Sequence, residues 1–127
     1  MVRRAAAGLL LGTCACASDP VAVKRVNPGC STRGPERAPV FYVGDAQTVL
    51  SESARVARDC SVSAGTARGE AYVVFTPAGC VGEVKLALSD ELSPGDVECV
   101  ANAFLAARVD AFAGNQVTVK KALHSGE

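Results

Sequence analysis

Across residues 69–88 apolar and polar side chains alternate twice, once on each side of a short turn, and no other pattern in the chain restricts the fold as much. Ala71, Val73 and Phe75 fall on one face and Tyr72, Val74 and Thr76 on the other, the period of two that a half-buried strand requires. Pro77-Ala78-Gly79-Cys80 has the residue types of a tight reversal. Val84, Leu86 and Leu88 then alternate with Glu83, Lys85 and Ala87, while Val81 falls out of phase. A bulge near Gly82 restores the register. The segment reads as a β-hairpin with one apolar face, and that face needs a cover.

Two helices can supply it. Asp45 is a good N-cap for a helix over residues 45–60, with Val49, Val56, Ala57 and Cys60 on one side and Glu52, Arg55, Arg58 and Asp59 on the other. Ser93 caps a second helix with Pro94 in its first turn, and Asp96 and Glu98 suit the positive end of its dipole. Val97, Val100, Ala101, Phe104, Ala107 and Ala111 make its apolar stripe, and Gly114-Asn115 ends it. Residues 61–69 read as a loop. Residues 40–43, Val-Phe-Tyr-Val, form a β-prone run ending at Gly44, and residues 116–123 give a last alternating strand. The expected fold is α+β: a small antiparallel sheet in β-α-β-β-α-β order, with two helices packed on one face.

The N-terminus carries a different message. Arg3 and Arg4 precede an apolar run over residues 5–11 and then the small residues Thr13-Cys14-Ala15-Cys16-Ala17-Ser18. A basic start, a short apolar stretch and a small-residue zone make a secretory signal peptide. The run is shorter than the roughly 17–25 residues of a spanning helix. Thr13-Cys14-Ala15-Cys16 resembles the lipobox of bacterial lipoproteins, with Ala15 before the acceptor Cys16. Cys14 is a weaker acceptor, and Thr13 stands where a Leu is usual. Ala15-Cys16-Ala17 also reads as an ordinary A-x-A cleavage site, so plain secretion stands as the alternative. The chain divides into a signal peptide (residues 1–15), a lipid-anchored Pro/Gly-rich tether (16–39) and a domain (40–124). Val21 and Val23 allow at most a short edge strand in the tether, whose basic Lys24, Arg25, Arg33 and Arg37 suit lipid headgroups, cell wall or a solvated face.

Cys30, Cys60, Cys80 and Cys99 remain after the lipobox. An even number in an exported chain implies disulfides, and four cysteines allow three pairings. Cys60 closes the first helix and Cys99 lies one turn into the second, so helices packed side by side bring those two together. Cys30 and Cys80 are then left to tie the tether to the hairpin tip.

Catalytic chemistry is not expected. Charge is balanced at thirteen basic and thirteen acidic residues, and the aromatic residues number two Tyr and four Phe without Trp. No basic stripe with stacking residues marks a nucleic-acid surface. No nucleophile-elbow, zinc-protease, phosphate-loop or dinucleotide motif appears, and no metal or cofactor is expected. His124 is the lone histidine, three residues from the last. The carboxylate pairs Glu52 with Asp59 and Asp90 with Glu91 fall on positions that solvent explains.

Residues 56–123 resemble the C-terminal domain of myxobacterial gliding-motility proteins, a relative of the TonB C-terminal domain. Arg58-Asp59-Cys60 matches the end of its first helix, and Gly69, Ala71, Val73, Phe75 and Thr76 match the first hairpin strand. Gly79 and Val81 match the return, and Ser89 and Asp96-Val97-Glu98-Cys99-Val100 match the loop and second helix. The turn is shorter than the family's, Cys80 is additional, and Asp110-Ala111-Phe112-Ala113 replaces an aromatic-Phe-Pro motif. The resemblance implies a non-catalytic envelope module that contacts other proteins or cell wall. The expectation is therefore a palmitate-bearing lipoprotein at the outer membrane facing the periplasm. It would be held by its lipid and bind an envelope protein through an exposed sheet edge or the hairpin, with no nucleic-acid or small-molecule substrate. A structural or adhesive surface protein is the second reading.

Overall fold

The structure, a computed structural model, describes residues 21–123. It is α+β. Four strands, β1 (Val21–Val26), β2 (Gly69–Phe75), β3 (Val81–Leu88) and β4 (Val117–Leu123), form one antiparallel sheet in the order β1-β3-β2-β4. Three helices accompany it: α1 (Val43–Arg58), α2 (Val62–Thr66) and α3 (Pro94–Leu105). The hairpin is its centre. Ala71 pairs with Leu86, and Val73 with Val84 and Val119, so their side chains share one face, and all are buried. α1 lies over β4 and α3 over β3, and the two helices pack on each other. Phe75, Phe104, Leu50 and Leu86 are fully buried between the layers, each stabilising the fold by about 1.5–3 kcal/mol. Register shifts between Val74 and Phe75, which face Glu83 and Val81, so Gly82 is the extra residue of a bulge.

The first strand is not the one expected. Residues 40–43 stay outside the sheet, because both flanks of the hairpin are taken, by β1 beside β3 and by β4 beside β2. The Phe41 ring turns inward, edge-on to Phe112 at 4.9 Å and 6.0 Å from Phe75. The Pro39 carbonyl accepts from the Ala113 N–H at 2.8 Å. Helix α1 then starts at Val43, with Tyr42 rather than Asp45 at the N-cap.

The sheet takes in residues 21–26 as an edge strand, longer than the short one the sequence allowed within the tether. The charges there are satisfied by neighbours. Lys24 Nζ lies 3.7 Å from Glu83 and Arg25 Nε 2.7 Å from Glu98. Val23 packs against the core.

Helix boundaries also move. Residues 62–66 form α2 where a loop was expected: the Ser61 hydroxyl accepts from Ala64 N–H at 3.0 Å, donates to Asp96 at 2.9 Å, and Ala64 is buried. The second long helix stops at Leu105 rather than near Gly114. Its continuation is captured by the hairpin tip, where Val109 N–H donates to Gly79 and Phe112 N–H to Pro77, at 2.9 and 3.0 Å. On α1 the buried side is Ala46, Leu50, Ser53, Ala54 and Ala57. Val49 is only half-buried and Val56 is exposed, a quarter-turn away from the stripe expected.

Candidate interaction surface

The two disulfides set what is open and what is closed. Cys60 is bonded to Cys99, with Cα atoms 6.0 Å apart, and joins the chain after α1 to α3. Cys30 is bonded to Cys80, with Cα atoms 5.8 Å apart, and draws the segment after β1 onto the hairpin tip. Thr76, buried beneath that segment, donates its hydroxyl proton to the Ser31 carbonyl at 2.6 Å. Gly34 crosses Pro77 so closely that a Cβ there would lie 2.6 Å from its carbonyl oxygen. On the far side Gly79, at φ +92°, leaves room for Val109, whose carbonyl oxygen would be 2.3 Å from a Cβ. Only glycine fits both that dihedral and that gap. The hairpin tip is covered on two sides, by the segment after β1 and by the chain after α3.

Three surfaces remain. The first is the pair of sheet edges. β1 and β4 have no strand on their outer sides among the described residues. Asn27 N–H points inward to Gly82, so by strand alternation the N–H and C=O groups of Ala22, Lys24 and Val26 point outward. Each edge strand carries an exposed lysine, Lys24 on β1 and Lys120 on β4, a residue type that disfavours edge-to-edge pairing.

The second is the uncovered face of the sheet. Lys24, Lys85, Tyr72 and Lys120 stand in one cross-strand row. The Lys85 ammonium lies 5.9 Å from the Tyr72 ring centre, within range of a cation–π contact. Lys120 Nζ is 3.5 Å from Glu70, and the Tyr72 hydroxyl donates to Glu70 Oε1 at 2.7 Å. That bond holds the Glu70 carboxyl below its ordinary pKa, with Lys120 adding to the effect, and raises that of the Tyr72 phenol. The alternation of residues 69–88 foretold one polar face but not the lysine row, which depends on a register that sequence does not state.

The third is the segment excluded from the sheet. Val40, Tyr42 and Val43 are 64%, 61% and 59% exposed, while Phe41 between them is partly buried. Tyr42 has extended backbone, φ −109° and ψ 111°. With Pro39, Asp45, Val109, Asp110 and Ala111 this segment lines a shallow cleft of about 120 Å³.

The other candidate groups do not converge. Glu52 is ion-paired one turn along α1 with Arg55, whose pKa it raises, while Asp59 is exposed. Asp90 accepts from the Arg68 N–H at 3.0 Å and Glu91 is exposed. Cys14, Cys16 and His124 lie outside the described residues. Among the described residues no three His, Cys, Asp or Glu side chains gather as a metal site, and no helix is long and apolar enough to cross a membrane. No protein-family model, curated protein or solved structure matches the chain.

Proposed function

We propose that this chain is an exported lipoprotein of the bacterial envelope, lipidated on Cys16 at the outer membrane and facing the periplasm, whose domain is a non-catalytic protein-interaction module. The observation that carries this reading is a domain closed by two disulfides that leaves both edges of its sheet open among the described residues. β1 begins at Val21, so only residues 17–20 separate it from Cys16. Fully extended, that span reaches at most about 18 Å. Two disulfides in a domain of this size suit an oxidising compartment. The open sheet edges leave backbone groups available to an extended partner, and the resemblance of residues 56–123 to envelope modules points the same way.

The test is chemical crosslinking in intact envelopes, followed by purification of the full chain. A single protein partner recovered in fixed ratio is the expected result. Recovery of peptidoglycan or lipid alone would replace the interaction module with a structural or adhesive role.

A further inference from the structure

The segment before α1 has the composition of a strand, extended backbone at Tyr42 and no strand beside it among the described residues. Val40, Phe41, Tyr42 and Val43 are all residue types enriched in sheets. Val40 and Tyr42 face solvent and Phe41 faces the core, the alternation of a strand with one buried side. Among the described residues, the N–H groups of Val40, Phe41 and Tyr42 and the carbonyls of Val40 and Phe41 have no hydrogen-bond partner, whereas the flanking Pro39 and Tyr42 carbonyls are both taken, by Ala113 and Ala46. The segment is therefore held at both ends and vacant in the middle. Asp45 and Asp110 flank it, and neither makes an ion pair or hydrogen bond among the described residues.

We propose that residues 39–42 are a docking strand that takes an extended segment of a partner protein, with apolar side chains against Val40 and Tyr42 and a Lys or Arg reaching Asp45 and Asp110. This rests on the interaction-module reading and specifies where the partner binds and what chemistry it presents.

Other occupants fit less well. The anchor enters the sheet at the end where β1 begins and β3 and β4 finish, since Val21 faces Leu88 and Gly69 faces both Leu88 and Leu123. Phe41 packs at the opposite end, on Phe75. The seven residues of β2 separate those ends, roughly 20 Å at the rise of a strand. The Val40–Tyr42 patch thus lies at the end of the sheet opposite Val21. A second copy would set the same two carboxylates against each other. A basic, strand-forming segment meets both the vacant backbone and the unpaired charge.

The test uses the full chain with both disulfides intact, in detergent micelles, and two synthetic peptides, acetyl-TVRVRVT-amide and acetyl-TVEVEVT-amide. Amide hydrogen exchange is followed by NMR. The basic peptide is expected to slow exchange at least tenfold at alternate amides of the segment, either Phe41 or Val40 and Tyr42. The acidic peptide should bind at least tenfold more weakly, and an N-methylated basic peptide should give no protection. Asp45→Asn with Asp110→Asn should cost the basic peptide about tenfold in affinity while lowering the melting temperature by no more than a few degrees, the loss of one acidic residue in the first turn of α1. Protection appearing at β1 or β4 instead would overturn this site and leave the interaction-module reading standing. Equal binding of both peptides, no protection anywhere, or a dimer dispersed by Tyr42→Asp would each overturn the proposal.

Discussion

Cys30 and Cys80 stand fifty positions apart in sequence and 5.8 Å apart at their Cα atoms, so the stretch that follows the first strand is fastened across the tip of the hairpin. That bond makes β1 part of the domain rather than of a tether. An edge strand of six residues has only one neighbour to hold it, and the disulfide shortens the loop it must close.

Removing this bond should act locally. Cys30→Ser with Cys80→Ser is expected to raise amide exchange across β1 and residues 27–34 before the rest of the sheet opens. Exchange measured by NMR or mass spectrometry checks this, and uniform acceleration over the whole domain would be the contrary result.

The Cys60–Cys99 bond should act globally. It closes a loop of 39 residues between α1 and α3, and the chain-entropy model gives an upper figure of about 4 kcal/mol for a loop of that size. Cys60→Ser with Cys99→Ser is therefore expected to lower Tm by up to roughly 15–30 °C, read by thermal circular dichroism. A shift of a degree or two would mean that helix packing holds without the staple.

Gly79→Ala tests the closed hairpin tip. The substitution meets both a positive φ and the Val109 carbonyl, and a cost of about 1–3 kcal/mol is expected. Gly95→Ala, where a Cβ meets nothing within 4 Å, is the matched control and should leave urea unfolding near wild type.

On the open face, the Tyr72 hydroxyl holds the Glu70 carboxyl below its ordinary pKa. Because the folded value is depressed, the stabilisation is present above the unfolded pKa of about 4.3 and is lost as pH falls through the folded value. Tyr72→Phe should move the Glu70 titration upward, observed by carboxyl carbon NMR. An unchanged titration would show that Lys120 alone sets it.

Much of the fold is legible where periodicity and burial agree. Ala71, Val73 and Phe75 announce their face, and Gly82 announces the bulge, because only one register buries all of Val84, Leu86 and Leu88. Val40 to Val43 misled because β propensity is a local quantity, whereas a place in the sheet is a competition. Two other strands occupy the hairpin's flanks, and Phe41 finds its burial among rings instead. Lys24 and Arg25 concealed the extension of β1 to Val26, since their partners Glu83 and Glu98 lie far along the chain. The vacant backbone of residues 40–42 is legible only once the neighbours are known.

The anchor is the claim on which the functional account turns, and metabolic labelling with palmitate tests it most directly. Wild-type chain expressed in a bacterial host should carry label and sediment with outer membranes. Cys16→Ser should lose the label and appear in the soluble periplasmic fraction, while Cys14→Ser should behave as wild type. Retention of label in Cys16→Ser, or a wild-type chain released unlabelled after cleavage, would contradict the account.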